Sequence, residues 1–273
     1  MPELPEVEVT KKALESALKK TSITGVNIRN KKLRWPVEEK KIRNIIHSDI
    51  KKIYRRGKYI LISCENGALI LHLGMSGSIG IFDKNSKYHK HDHVEFILKN
   101  KKVVRLNDPR RFGCAVWTNE RPEEHKLIKS LGIEPLDEKA LGEYLFTMSR
   151  SRKAAVKNFI MNSNIVVGVG NIYASESLFR SGINPIRSSS RISKQRYRKL
   201  GEEIKRVLNE AIEMGGTTLR DFTYYNEVRQ IGYFKQKLFV YGRSGEECKK
   251  CSELIKDRII GGRNSFFCPK CQT

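Results

Sequence analysis

Two pairs of cysteines close the chain, Cys248-Lys-Lys-Cys251 and Cys268-Pro-Lys-Cys271, spaced C-x2-C-x16-C-x2-C. Each pair turns two thiolates toward one tetrahedral ion, and the spacer between the pairs is long enough for a β-hairpin. Disulfides are the alternative. The opening MPELPEVE is acidic where a secretory signal would be basic, so an oxidising compartment is not expected. The expectation is one structural Zn2+ held by Cys248, Cys251, Cys268 and Cys271. Four thiolates leave no open position for water, so this ion should hold shape and do no chemistry. Cys64 and Cys114 lie in strand-like runs and are expected to be buried core thiols.

Charge narrows the partner. The 273 residues carry 53 Lys and Arg against 30 Asp and Glu, a net charge of +23. Self-repulsion on that scale costs stability, and the polyanion that rewards it is nucleic acid, through counterion release. The basic residues are spread along the chain, which points to a folded concave surface and not to a basic tail. No apolar run approaches the roughly 18 residues of a membrane span, so no membrane partner is expected.

The pattern along the chain predicts an α+β protein. Residues 3–20 place Val7, Leu14, Ala17 and Leu18 on one helical face, with Glu3, Glu6 and Glu8 early and Lys19 and Lys20 late, as the helix dipole favours. Pro2 sits at or before the first turn, where proline costs nothing. From 23 to 118 short β-rich runs follow. YILIS and ALILHL flank Glu65-Asn66-Gly67, and VEFI and VVRL flank Lys99-Asn100-Lys101, so two hairpins are expected within a sandwich or barrel. Residues 122–140, with Pro122, Gly132 and Pro135, read as a linker. Helices are then expected at 173–181, stopped by Gly182, and at 192–214, stopped by Gly215-Gly216. Between the cysteine pairs, Gly261-Gly262-Arg263-Asn264 places an arginine at a hairpin tip, where it can reach a nucleic-acid backbone or simply face solvent. His91-Asp92-His93 has no clear third ligand, so hydrogen bonding is expected there in place of a metal.

MPELPEVE, GKY at 57–59, HLGMSGS at 72–78, HDH at 91–93, NDPRRFG at 107–113, VVGVGNIYASESLFRSGINP at 166–185, GGTTLRDF at 215–222, VYGRSGEEC at 240–248 and the terminal cysteine hairpin occur in this order. Together they resemble the bacterial formamidopyrimidine-DNA glycosylases of the Fpg/Nei superfamily, from one end of the chain to the other. The resemblance implies an N-terminal β-sandwich with a flanking helix (1–130), a helix–two-turn–helix domain (131–235) and a zinc finger (236–273), with DNA in the cleft between. It implies excision of oxidised purines from damaged double-stranded DNA by a cytoplasmic, nucleoid-associated monomer, followed by cleavage at the abasic site.

The resemblance also assigns roles. The nucleophile would be Pro2 once Met1 is removed; an α-amine with a pKa near 8 is partly neutral at pH 7, where a lysine is not. Glu3 matches the proton-handling carboxylate, Lys58 a lysine that assists β-elimination, and Arg263 an arginine that grips phosphate and assists δ-elimination. Met75, Arg110 and Phe112 would fill the space left by a flipped base, a job that suits a flexible apolar chain, a guanidinium and an aromatic wedge. His91, Arg110, Arg152, Lys157 and Asn171 match positions near DNA phosphates. Glycines 168 and 170, ahead of a helix, suit backbone approach to an anion. Two departures concern lesion recognition. Arg220 stands where the best-known family pattern has lysine, and the stretch from Thr223 to Ile231 is about two residues longer. Two other readings are a damage-binding protein without chemistry and an endonuclease VIII-like enzyme for oxidised pyrimidines. The joint presence of Pro2, Glu3, Lys58 and Arg263 speaks against the first. Leu4 with the Met75/Arg110/Phe112 set speaks against the second.

Overall fold

The structure is a computed structural model that describes residues 2–217 and 237–273. The described residues form two compact units, 2–130 with 215–217, and 131–214 with 237–273. Arg220 and the 223–231 stretch lie outside the described residues.

The first unit opens with α1 (Leu4–Leu18), whose Val7, Leu14 and Leu18 face the core as the spacing predicts. Then come β1 (Ile23–Ile28), a short α2 (Glu39–Ile42), β2 (Ile50–Arg56), β3 (Tyr59–Cys64), β4 (Gly67–His72), β5 (Ser78–Asp83), β6 (Asp92–Leu98), β7 (Lys102–Asn107) and β8 (Cys114–Thr118). The strands make two antiparallel four-stranded sheets, ordered β1-β6-β7-β5 and β2-β3-β4-β8. Both expected hairpins are present. β3 and β4 pair from Tyr59↔His72 to Cys64↔Gly67, and β6 and β7 pair around residues 99–101. Gly67 is required at its turn, because a Cβ there would sit 2.4 Å from the Thr118 carbonyl oxygen. Inward residues of both sheets share one core, Ile23, Val26, Phe96 and Leu106 with Ile60, Ile62, Leu69 and Leu71, so the strands form a sandwich. Leu61 and Ile70 point to the opposite face and are buried as well, so the second sheet is covered on both sides. Burial pushes the Cys64 thiol up to about 11 and the Cys114 thiol to about 12, as core cysteines.

The second unit is helical, with α3 (Leu141–Ser149), α4 (Val156–Ile160), α5 (Asn171–Ser181) and α6 (Lys194–Glu213), followed by the hairpin of β9 (Lys256–Ile260) and β10 (Arg263–Phe267). The chain from 131 onward is not the loose linker its composition suggests. The Gly132 N–H donates to the Ser163 carbonyl at 2.8 Å, and Ile133 bridges to Val166. Ser193 caps α6 by accepting from the Arg196 N–H, and Leu200, Ile204, Val207, Leu208 and Ala211 line its buried face. Gly182 ends α5 in the left-handed region, φ +72°. α3 and α6 cross so closely at Gly142 and Gly201 that a Cβ on Gly201 would lie 2.5 Å from the Gly142 nitrogen. Glu176, fully buried on α5, accepts the N–H groups of Phe239, Val240 and Tyr241, each at 2.9 Å, and so anchors the lead into the cysteine module. Among the described residues, no helix is long and apolar enough to cross a membrane.

Candidate active site and nucleic-acid interface

In the first unit the site begins at the start of α1. Pro2 is buried and Glu3 is the N-cap. The Glu3 N–H donates to Glu6 Oε2 at 2.8 Å, and the Glu3 carboxylate accepts the Glu6 N–H in return, a reciprocal capping box. The other Glu6 oxygen accepts the Thr217 N–H at 2.8 Å. Gly216 lies against this carboxylate with φ +85°, and a Cβ there would come within 3.0 Å of Glu6 Oε1. One buried carboxylate thus joins the residue after Pro2 to the 215–217 segment. In the sequence Glu6 reads only as a first-turn acid, because nothing local signals a partner 211 residues away.

Lys58 follows Gly57 in the β2–β3 turn. Arg55 fixes that turn to α1, with Nε donating to Glu8 Oε2 at 2.9 Å and Nη1 to the Gly57 carbonyl at 3.0 Å. Half-burial works to raise the Glu8 carboxyl, but hydrogen bonds from Lys11 and Arg55 hold it below its ordinary value. The helix that follows Pro2 and Glu3 and the turn carrying Lys58 are therefore one assembly. His72, at the end of β4, gives no sign in the sequence of a place at the site. Burial, with the charges of Lys58 and Arg34, lowers its pKa to about 4, so it is a neutral ring beside a cation at pH 7.

Met75 and Phe112 are exposed, at 37% and 41%, on the β4–β5 and β7–β8 loops. Taken singly, each would more often be a core residue. Asp108, fully buried, locks the two loops together. It accepts from the Ser76 hydroxyl at 2.8 Å and from the Gly113 N–H at 2.7 Å, and Ser76 Oγ in turn accepts the Arg110 N–H at 3.1 Å. Gly74 lies so near the second loop that a Cβ would meet the Gly113 nitrogen at 2.5 Å. The Arg110 guanidinium stands 5.1 Å from the centre of the Phe112 ring. The histidine motif supports the same loops by hydrogen bonds. His93 Nε2 bonds the Asp108 carbonyl at 2.8 Å, the Asp108 N–H donates to the His91 carbonyl at 3.0 Å, and Asp92 accepts from Asn107 at 2.8 Å. Asp108→Ala strands a hydroxyl and an N–H, so it is expected to lower stability by roughly 2–4 kcal/mol. Urea denaturation checks this, and a loss below roughly 1 kcal/mol would show that the loops hold without the carboxylate.

In the second unit Gly168, φ +81°, turns the chain toward α5, whose N-cap is Gly170. Lys157 is buried, and its ammonium donates to Asn171 Oδ1 and Ser265 Oγ, both at 2.5 Å, and to the Asn264 carbonyl at 3.4 Å. Asn171 Nδ2 also donates to the Asn264 carbonyl, at 3.0 Å. One ammonium therefore joins α4, α5 and β10. The hairpin tip is seated on α4 as well, since a Cβ on Gly261 would lie 2.4 Å from Asn158 Oδ1. Arg263 is exposed beside that tip, with Nη1 3.4 Å from the Gly261 carbonyl. The half-buried Arg152 donates from Nε to the Met148 carbonyl at 3.0 Å.

Cys248, Cys251, Cys268 and Cys271 gather their sulfurs within 4.8 Å of one another. Neighbouring pairs are 3.3, 3.5 and 3.9 Å apart. Four sulfurs at about 2.3 Å from a tetrahedral zinc would be about 3.8 Å apart, so the cluster fits that ion. The N–H groups of Lys250 and Cys271 approach the Cys248 and Cys268 sulfurs at 3.4 Å, as thiolate ligands require. Among the described residues this is the one cluster suited to a metal.

Three family models match the chain: the formamidopyrimidine-DNA glycosylase N-terminal domain over residues 1–115, its H2TH domain over 131–223, and a zinc finger found in FPG and IleRS over 245–273. A formamidopyrimidine-DNA glycosylase of Stutzerimonas stutzeri is 49% identical over 272 residues, covering all of both chains. One of Magnetococcus marinus is 47% identical over 275 residues, covering 100% of this chain and 99% of that protein. Among solved structures, a point mutant of Lactococcus lactis FPG in complex with a Fapy-dG containing DNA superposes with a TM-score of 0.90 at 28% identity, covering 100% of both chains. The MutM (FPG) protein from Thermus thermophilus does so at 0.86 and 31%, covering 99% of this chain and 98% of that one.

Proposed function

The chain belongs to the formamidopyrimidine-DNA glycosylase family, and from that footing we propose that it excises oxidised purines, 8-oxoguanine and formamidopyrimidines, from damaged double-stranded DNA and then cleaves the abasic site. With Met1 removed, the Pro2 nitrogen attacks C1′ of the damaged nucleotide. The C1′–base bond breaks and the base leaves with a proton that Glu3 supplies. Ring opening yields an iminium whose fixed positive charge draws electrons from C2′. Loss of a C2′ proton expels the 3′ phosphate, and a second elimination expels the 5′ phosphate. Lys58 assists the first elimination and Arg263 the second. Zinc, bound by the four cysteines, keeps the β9–β10 hairpin folded and takes no part in these steps.

His91, Arg110, Arg152 and Asn171 contact phosphates in this reading. Lys157 acts from below, holding Asn171 and β10 in place. Met75, Arg110 and Phe112 occupy the gap left by the extruded base, and Arg220 contributes to lesion recognition. The division is 1–130, 131–235 and 236–273, with the 215–217 segment packed on the first of these, and the enzyme works as a cytoplasmic, nucleoid-associated monomer. The observation that carries the DNA reading is the exposure of Met75 and Phe112 on two loops that Asp108 has locked in place. Two large apolar side chains held in water on loops that a buried carboxylate ties together suit a surface that meets a ligand. The test is a duplex with 8-oxoguanine opposite cytosine. Base release and a nick are expected, faster than on thymine glycol. A faster reaction on thymine glycol would overturn the purine assignment, and no excision of either would overturn the glycosylase.

A further inference from the structure

At the C-terminal end of α1, about 22 Å of helix from Glu3, the first unit carries a groove of about 950 Å³. It is lined by Lys12, Lys19, Lys20, Lys51, Lys52 and Lys99, which come from α1, the α1–β1 link, β2 and the β6–β7 turn. Among the described residues, two acids share the lining. Asp49 is taken by Lys51 at 2.6 Å, and Glu15 faces Lys11 at 3.5 Å. Among the described residues no carboxylate pairs with Lys12, Lys19, Lys20, Lys52 or Lys99. Local reasons exist for some of these residues. Lys19 and Lys20 suit a helix C-terminus, and Lys51 and Lys52 guard an edge strand. Neither reason covers Lys12, mid-helix, or Lys99, on a turn, yet both line the same trough.

We infer that this groove is a second docking site for a nucleic-acid backbone, separate from the lesion site. The inference rests on DNA being the substrate. Ammonium groups without an acid partner suit phosphates. Apart from His47, no described residue of the lining has an aromatic ring to stack a base, so the site reads charge and not sequence. A protein partner would want an exposed apolar anchor, whereas Leu18 and Ile53 are buried and Ile50 half-buried. A chain that holds one duplex at the lesion site and a second in this groove passes directly between DNA segments.

The experiment follows a labelled, uncleavable abasic duplex leaving the full-length enzyme as undamaged duplex is added. The native chain is expected to release it roughly tenfold faster or more at high competitor, because a second duplex binds before the first departs. The combined Lys12→Gln, Lys52→Gln, Lys99→Gln variant should lose most of that acceleration, and the Lys→Glu triple all of it. Release from the native chain that ignores competitor overturns the second site, and so does a Lys→Gln triple that responds as the native chain does. Excision of 8-oxoguanine from a short duplex is measured in parallel and should be equal for the native chain and the Lys→Gln triple. Its absence in the native chain would sink the glycosylase reading itself, a failure distinct from that of the groove.

Discussion

Enzyme that keeps Met1, or whose Pro2 nitrogen has been acylated, is expected to form no borohydride-stable adduct with DNA containing 8-oxoguanine. Processed enzyme should form one through Pro2. Behind this lies one atom. With Met1 attached, the Pro2 nitrogen is an amide whose lone pair is delocalised into a carbonyl, and it cannot attack C1′. Free, it is a secondary amine with a pKa near 8, neutral often enough at pH 7 to react. Excision should fall on the order of a thousandfold when this atom is blocked. Pro2→Gly should lose only part of the adduct, since a primary amine still forms an imine. The surrounding geometry should survive these changes, because the capping box between Glu3 and Glu6 uses neither the Pro2 nitrogen nor its ring. Mass spectrometry of the terminus, run beside the trapping assay, decides the matter. Lesions removed at full speed by a fully blocked terminus would end the covalent scheme.

Cys268→Ser is expected to abolish stoichiometric zinc, about one ion per chain, and to weaken binding to lesion duplex by on the order of a hundredfold or more. Structural zinc contributes roughly 10–16 kcal/mol in zinc-finger peptides, far more than a two-stranded hairpin can supply for itself. The module's own apolar core is small. The core around Cys248 and Cys268 consists of Phe179, Val240 and Ile255 with a few half-buried neighbours. The damage should reach beyond the hairpin, because the Lys157 ammonium is held by Ser265 and Asn264 on one side and Asn171 on the other. Elemental analysis and binding titrations measure both effects. Zinc-free protein that still grips lesion DNA would show that the finger is dispensable.

Much of this architecture is legible in the sequence wherever the signal is local. The cysteine spacing, the helical face of Val7, Leu14 and Leu18, the turn at Glu65-Asn66-Gly67 and the stop at Gly182 each need only a few neighbouring residues. What escapes is long-range. α3 and α4 are too short to show a period, and they are held by contacts such as Gly142 against Gly201 that no window contains. Asp108, Glu6, Glu176 and Arg55 look like ordinary surface charges until the fold supplies their partners. Lys157 is the sharpest instance. Its position is readable as a cation near phosphate, yet its burial follows from a hydroxyl 108 residues downstream. Met75 and Phe112 run the other way, since an apolar side chain gives no sign on its own that it will face water.

The Lys157 junction has a practical corollary for protein engineering. A metal-binding hairpin borrowed from a relative would arrive with its own version of residues 264 and 265, and the ammonium beneath would have to recognise them. Chimaeras in which 157–158, 171, 261 and 264–265 travel as a set should fold and remain active, whereas those joined just ahead of Cys248 would depend on chance agreement at a buried charge. The module that looks most detachable on paper is thus the one least suited to being exchanged alone.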